Sequence, residues 1–429
     1  MIQGFYTGIS GIQTHQFGID TVADNIANIS TVGYREYRSE FANLFSNALN
    51  STSALSSVQS QIGIGSTANA TTMSTKQGSP LQSERSTDLA IEGSGWFGVS
   101  SSDGVFFTRD GNFGFNSNYE LVSPDGYYLL GTVGSNISGS VLTSQEENIA
   151  LGEPSKQQKL QFPPELHFSV QPTTEAKFFG NLTSLDQMRV VSVKAIDEQS
   201  NTNGIQVEFT RADPDDATIW NMRVFTHNND FNQERDPLTG EIKYVPSVIY
   251  DEQFGVAKFD DNGALISTSI NSINNNGTSV KLNFGSGYSG LVANGESYSL
   301  SSTSDGKIAG ELEGYSIGKN GQILASFTNG EQSSVGSVAL YHFINDQALE
   351  RVGSNKFMQS QNSGVPFFQK DIFGNNTASG ILSSMLESSN VDLSTAMSEL
   401  IVMQRSFDAN AKSITTADEM IQKALQMHK

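Results

Sequence analysis

The feature that most constrains this chain is a seven-residue repeat of apolar side chains near each of its two ends. The first stripe comprises Phe5, Ile12, Ile19 and Ile26. The second comprises Leu393, Leu400, Phe407, Ile414 and Ile421. A repeat of seven that persists over several turns is typical of helices that pair along a narrow seam. One stripe alone would be explained as well by a core-facing helix of a bundle. Two stripes at opposite ends favour helices that pair with each other and with neighbouring copies.

The residues between the two stripes predict a β-rich interior. Short apolar runs such as Leu89-Ala-Ile91 and Trp96-Phe-Gly-Val99 lie near Asp-Gly pairs, which are strong signals for tight turns between strands. Residues 30–76 contain few apolar side chains, and Ser51 to Ser60 are nearly all small and polar, which predicts an extended linker. The expected fold class is α+β, mostly β, with helices at the two ends.

Prolines divide the β-rich interior. Pro154, Pro163 and Pro164 lie in a polar stretch that indicates a boundary near residues 145–168. Beyond it, one β-rich segment extends over about 168–303 and another over about 305–384.

Charge and composition exclude several classes of function. The 429-residue chain has a formal net charge of −20, and an acidic surface repels both nucleic acid and anionic lipid. The chain contains no cysteine, which excludes disulfides and thiolate metal sites. Its first basic side chain is Arg35, so the expected charged region of a signal peptide is missing. No apolar run reaches the length of a membrane span. We therefore expect no nucleic-acid partner, no membrane insertion and no cleaved signal peptide.

Catalytic, cofactor and metal motifs occur only as isolated matches. Gly314-Tyr-Ser316-Ile-Gly318 fits the nucleophile pattern of hydrolases, but the turn Lys319-Asn320-Gly321 follows it instead of a helix. Gly285-Ser-Gly287-Tyr-Ser-Gly290 fits a dinucleotide fingerprint, and again no helical pattern follows. We therefore expect no enzyme activity, no cofactor and no metal. The histidines, which lack the spacing of metal ligands, are His15, His167, His227, His342 and His428.

Specific motifs accompany the two helical stripes. Near the N-terminus, Gly8-Ile-Ser-Gly11 is followed by Asn25-Ile-Ala-Asn28. Near the C-terminus, Asn390-Val-Asp-Leu393 precedes Gln404-Arg-Ser-Phe407 and Ile414-Thr-Thr416. In their order and position, these motifs resemble the two ends of the bacterial flagellar rod and hook family of axial proteins.

The interior carries a second part of this resemblance. Asp88-Leu-Ala-Ile91 and Phe107-Thr-Arg109-Asp110-Gly111 are similar to the first β-domain of that family. Asp305-Gly306 and Asn320-Gly321 resemble the place where this domain resumes after an insertion. The resemblance implies a helical domain of 1–29 with 390–429, a linker over 30–76, a first β-domain of 77–160 with 305–385, and an inserted outer β-domain over 169–304.

The resemblance also implies a function and a set of partners. The family builds tubes, with terminal helices around a central channel and β-domains outside. The large insertion favours a hook subunit, part of a flexible extracellular tube between the basal-body rod and the filament. Implied partners are further copies of the chain, the distal rod protein, the hook cap protein, the hook–filament junction protein and the flagellar type III export apparatus. The residues expected in the assembly interface are Phe5, Ile9, Ile12, Ile19, Asn25, Ile26, Asn28, Leu393, Leu400, Met403, Phe407, Asn410, Ile414 and Ile421.

Two alternatives stay open at this point. A rod or rod–hook junction subunit would share both ends, but the large middle segment argues against it. A secreted β-rich adhesin or surface protein would belong to a different class, and the paired terminal helices argue against that interpretation.

Overall fold

The predicted fold class is confirmed, because the chain is mostly β with a long helix at each end. A computed structural model of the protein describes residues 2–47, 61–182, 188–213, 216–235, 242–294, 299–370 and 380–427. The helices are α1 (Ile2–Ala27) and α2 (Leu393–Gln426). The start of α2 is set by Asp392, whose carboxylate accepts a hydrogen bond from the Thr395 backbone N at 2.7 Å.

Residues 30–76 differ from the predicted extended linker. They contain β1 (Tyr37–Asn47) and β2 (Gln61–Met73), which pair antiparallel. The hairpin contacts α1 through hydroxyl groups: Thr14 Oγ1 lies 3.0 Å from the Ser66 carbonyl oxygen. A polar segment can form these strands because the backbone ladder and the hydroxyl contacts replace an apolar core of its own. The predicted polar stretch from Ser51 to Ser60 lies outside the described residues.

The chain next forms short strands that include the predicted apolar runs at Leu89–Ile91 and Trp96–Val99. These strands are β3 (Pro80–Gln82), β4 (Leu89–Ile91), β5 (Trp96–Ser101), β6 (Gly104–Thr108), β7 (Gly114–Phe115), β8 (Leu121–Val122), β9 (Tyr128–Val133), β10 (Ile137–Ser138), β11 (Val141–Leu142), β12 (Gln158–Lys159) and β13 (His167–Phe168).

The middle of the chain forms a separate ten-stranded sheet, in which long antiparallel strands predominate. Two further strands of this region, β18 (Phe231–Arg235) and β19 (Ile242–Pro246), pair with each other in a sheet of two strands. The strands are β14 (Glu175–Asn181), β15 (Met188–Ile196), β16 (Thr202–Asp213), β17 (Asp216–Asn228), β18 (Phe231–Arg235), β19 (Ile242–Pro246), β20 (Ile249–Phe259), β21 (Ala264–Thr268), β22 (Ser272–Asn275), β23 (Thr278–Asn283), β24 (Gly285–Val292) and β25 (Ser299–Ser304).

The last strands return to the first group and complete its sheets. For example, β26 pairs with β13, β28 with β9, β31 with β6 and β32 with β4. They are β26 (Gly310–Ile317), β27 (Gln322–Phe327), β28 (Gln332–Val338), β29 (Leu340–Tyr341), β30 (Glu350–Gly353), β31 (Lys356–Met358), β32 (Ile381–Ser383) and β33 (Met385–Glu387).

Buried side chains form two separate β cores. The first core takes residues from both sides of the middle segment, such as Phe97 and Tyr341. The second core, which includes Trp220, belongs to the middle segment alone. The chain crosses between them twice, where Gln171 bridges to Lys307. The second core is therefore joined to the first by two adjacent crossings.

Candidate assembly surface

The two terminal helices pack against each other through glycines of α1. The facing pairs are Gly8 with Ile414, Gly11 with Asn410, and Gly18 with Met403. A Cβ atom on the first glycine would lie 2.7 Å from a side-chain carbon, on the second 2.6 Å from the amide oxygen, and on the third 3.1 Å from the sulfur. Residue numbers fall along α2 as they rise along α1, so the helices are antiparallel. Glycine is needed at this seam because α2 inserts its side chains against the α1 backbone.

Most predicted interface residues of α2 lie at this seam, inside one chain. Leu400, next to the buried Ala396, packs with Val22 of α1 in a small apolar cluster. Leu393 is exposed at the start of the helix. The other predicted residues of α2 are half-buried: Met403, Phe407, Asn410, Ile414 and Ile421. Half-buried residues of α1 are Phe5, Ile9, Ile12, Ile19 and Ile26. Their role in contacts between copies stays a prediction.

The predicted residues Asn25 and Asn28 lie at the end of α1, where they turn the chain toward the hairpin. Asn25 donates to the Tyr37 carbonyl oxygen at 2.7 Å and accepts from the Tyr37 backbone N at 3.0 Å. Its amide oxygen also accepts from the Tyr34 hydroxyl at 3.1 Å. Asn28 donates to the Asp24 carbonyl oxygen at 2.8 Å. Asn25 is buried, so its amide acts within the chain and fixes the exit from the helix.

An arginine of the first β region contacts the same end of α1. The Arg351 guanidinium lies 3.2 Å from the Asp24 carboxylate and 5.0 Å from the centre of the Tyr37 ring. Burial raises the pKa of Tyr37, while the positive charge of Arg351 acts in the opposite direction. This contact ties α1 to β30.

A buried carboxylate joins three distant segments at the base of the helix pair. Glu387, six residues before α2, lies 3.0 Å from Arg35 and 3.1 Å from Arg109. It also accepts from the Gly78 backbone N at 2.9 Å. All three charged side chains are 4% exposed or less. Burial lowers the pKa of Arg109 to about 10, and the neighbouring charge of Arg35 acts in the same direction. No local sequence pattern could have revealed this cluster, because its members are far apart in the chain.

The face of α2 that points away from α1 carries exposed apolar side chains among charged ones of both signs, including Asp408 and Glu419. The sequence patterns did not identify it. Arg405, Lys412 and Lys423 are exposed on it. An exposed apolar stripe on a helix marks a protein contact. The sequence signal for this face is a second set of apolar residues with the same helical period, half a turn around the helix from the seam. The exposed apolar residues on or beside this face are Met397 (46%), Ile401 (52%), Val402 (59%) and Met420 (54%).

The catalytic and cofactor motifs lie on strands. Gly314 to Gly318 spans the end of β26, and a short 3-10 turn leads from it into β27. Gly285 to Gly290 lies within β24. Over the described ranges no group of three or more histidine or acidic side chains could hold a metal ion. Nor does the described part of the chain contain a helix long and apolar enough to cross a membrane.

Three family models match separate parts of the chain. Residues 5–35 match the model described as flagella basal body rod protein. Residues 90–164 match the D1 domain of flagellar hook protein FlgE/F/G. Residues 382–427 match the C-terminal part of flagellar basal body rod FlgEFG protein.

Relatives match the chain over its whole length. The flagellar hook protein FlgE of Borreliella burgdorferi is 26% identical over 465 residues, and that of Treponema pallidum is 26% identical over 488 residues. Both matches cover 100% of each chain. In structure, the chain is similar to the Helicobacter pylori flagellar hook protein FlgE2, with a TM-score of 0.51 at 15% identity. That match covers 72% of this chain and 100% of the other, and it shows a common fold.

Proposed function

The chain belongs to the flagellar hook protein family, and from that premise we propose that it polymerises through its terminal helices into a flexible tube between the basal-body rod and the filament. It is a structural subunit of the flagellar hook. The observation that carries the proposal is the exposed apolar face of α2, such as Ile401 at 52% exposure, on a helix whose other face is already packed.

The energetics favour a polymer over a free subunit. Burying apolar surface stabilises contacts by about 25 cal/mol per Å², so each exposed side chain of this face contributes on the order of 1 kcal/mol when a neighbour covers it. A single such contact is too weak to offset the entropy lost on association. Several contacts per subunit, as in a helical tube, are needed to hold each copy.

The hook is favoured over the rod and the rod–hook junction by the size of the middle segment. The relatives matched over their full length are hook proteins, and the matches extend over the middle segment of this chain. We propose the division inferred from the sequence: a tube-forming helical part of 1–29 with 390–429, a first β-domain of 77–160 with 305–385, and an outer β-domain over 169–304. Support comes from the two separate β cores and the narrow double crossing between them.

The outer parts of the chain suit a tube that bends. The formal net charge of −20 keeps neighbouring outer surfaces hydrated. Water-mediated contacts break and re-form at little cost in free energy. The outer β-domains of neighbouring copies can therefore slide past each other while the helices hold the tube together.

The remaining expectations are proposals of the same kind. The family belongs to a flagellar polymer with rod and hook components. We propose that the chain meets the distal rod protein, the hook cap protein and the hook–filament junction protein. We also propose that the type III export apparatus delivers it outside the cell, and that it has no catalytic role.

Electron microscopy of basal bodies from a strain that lacks this gene tests the proposed function. Complete rods and rings without hook or filament are the expected result. Rods that end early would assign the chain to the rod, and unaltered flagella would overturn the proposal. Re-expression of the gene in the same strain is the control.

A further inference from the structure

A groove beside α1 combines an apolar floor with acidic groups. It has a volume of about 420 Å³ and lies where α1, the β1–β2 hairpin and the first β region meet. Its apolar surface suits aliphatic side chains. Its charged lining consists of the carboxylates of Asp20 and Asp24 and the guanidinium of Arg351. The lining residues that matter here are Phe17, Asp20, Asp24, Tyr37, Met73 and Leu349.

The two carboxylates of the groove differ in their partners. Asp24 already binds Arg351 at 3.2 Å. Asp20 accepts a hydrogen bond from the Gln16 side chain at 2.9 Å, and across the described ranges no cationic group lies within ion-pair distance of it. Asp20 is therefore an acidic group that is available to a cation from outside.

The outward face of α2 offers a matching patch. Ile401 and Val402 are more than half exposed, and they precede Arg405 by four and three residues, so the three side chains share one face. Arg405 is exposed and forms no ion pair with any residue that the structure describes. By contrast, α1 contains no lysine or arginine.

The groove and the patch cannot meet within one chain. Met403 packs on Gly18 and the helices are antiparallel, so Arg405 and Asp20 lie on either side of this contact, about 6 Å apart along the helix axis. Gly18 points toward α2, and Asp20, two residues later, points about 200° away from it around the helix. Arg405 lies two residues after Met403 and likewise points away from the seam. The groove and the patch therefore lie on opposite sides of the pair.

We infer that the groove of one copy receives the α2 patch of a second copy, with Ile401 and Val402 on its apolar floor and Arg405 paired with Asp20. This inference rests on the proposed function, since it names one interface of the polymer. The contact joins two different surfaces, so it is heterologous. When a heterologous contact is repeated and its rotation does not close a ring, the copies form an open helical array. A tube built of this chain requires such a contact.

Charge reversal with purified protein tests the ion pair. Arg405→Glu and Asp20→Lys are each expected to raise the concentration needed for polymerisation about tenfold at low salt, because like charges then face each other across the interface. The double variant restores the charge pair and is expected to polymerise within about twofold of the original protein. High salt screens the charges, so the polymerisation concentrations of the variants are expected to approach that of the original protein.

Lys258→Glu is the matched control, because it makes the same charge change at an exposed position of β20, in the ten-stranded sheet and outside the helix pair. It is expected to polymerise like the original chain. Normal polymerisation of Arg405→Glu, or a double variant worse than either single one, would overturn the inference. If hooks still disappear in the deletion strain, the proposed function stands and only this interface is wrong.

Crosslinking tests the geometry without relying on charge. The chain has no cysteine, so a variant with Asp20→Cys and Arg405→Cys contains two thiols at chosen positions. A short bifunctional maleimide is expected to join polymerised subunits into a ladder of many sizes on a denaturing gel. Asp20→Cys with Lys423→Cys is the control and is expected to give no ladder. A ladder from the control, dimers alone, or no product from the first pair would contradict the inference.

Discussion

The β cores and the helix pair differ in how completely they bury their apolar side chains. In the second core, Trp220 and Phe209 are 0% exposed. Along α2, the buried residues are the small Ala396 and Ala417, while larger apolar residues such as Ile401 remain exposed. A sheet that packs its inner face on its own chain is complete as a monomer. A helix packed on one side leaves its other side for further copies, which is the property expected of a subunit that joins a polymer.

Removing a buried aromatic side chain of a β core is expected to have the largest effect on the stability of the monomer. Trp220→Ala leaves a cavity in the second core and is predicted to lower the free energy of unfolding by about 3–5 kcal/mol. Thermal unfolding followed by near-UV circular dichroism measures it. Phe254→Ala, in the adjacent strand at 73% exposure, is the control and should change stability by less than about 0.5 kcal/mol. Equal losses of stability in the two variants would contradict the claim that the buried face of this sheet provides most of its stability.

Breaking the ion-pair cluster of Glu387, which links the helix pair to the first β region, is expected to have the second-largest effect on stability. Glu387→Gln leaves the buried guanidinium groups of Arg35 and Arg109 without their common counter-ion, and it should destabilise the chain by about 3 kcal/mol. Urea unfolding measures the loss. Glu350→Gln, at an exposed position of β30, should be nearly neutral. A neutral Glu387→Gln would mean that the cluster does not hold the helix pair to the first β region.

A bulky residue at the helix seam should have a smaller effect. Gly11→Leu forces its side chain against Asn410 and is predicted to cost about 1–3 kcal/mol of stability, with part of the helical far-UV signal lost at lower temperature. Gly4→Leu is the matched control, because a Cβ at Gly4 meets no atom within 4 Å. It should stabilise α1 slightly, by up to about 1 kcal/mol. The same loss in both variants would contradict the close approach of the helices.

A buried histidine should give the first β core a weak pH dependence. Burial lowers the pKa of His342, nearby Arg109 acts in the same direction, and Asp346 opposes both. The folded state therefore resists the proton that the unfolded state takes up as the pH falls below the ordinary histidine value. Stability is full above that value and declines on the acid side.

His342→Gln is expected to flatten that decline between pH 7 and pH 5, measured as the midpoint of thermal unfolding. His167→Gln, at an exposed position of β13, should leave the slope unchanged. An unchanged slope for His342→Gln would rule out this histidine as its source.

The sequence anticipates the features that depend on local periodicity. The seven-residue stripes predicted helices over 1–29 and 390–429, and the structure has them at Ile2–Ala27 and Leu393–Gln426. Alternating apolar runs between turn residues located strands such as Leu89–Ile91. These elements are set by which side chains recur at a fixed spacing, and a single sequence contains that information.

Features that depend on contacts between distant residues could not be read in the same way. The β1–β2 hairpin has a polar composition, and its strands are fixed by α1 and by the backbone ladder. Glu387, Arg35 and Arg109 share no motif, and only the fold brings them together. The stripes on α2 identified a seam, but the sequence alone could not tell whether α1 or another copy covers it. The structure assigns it to α1, which leaves the opposite face for assembly.

The reactivity of a single thiol on that face tests the central claim most directly. Because the chain has no native cysteine, Ile401→Cys provides one labelling site on the outward face of α2. We expect rapid labelling by a maleimide in the monomer, strong protection in the polymer, and full labelling again after the polymer is dissociated. Equal labelling rates in monomer and polymer would contradict the claim that neighbouring copies cover this face.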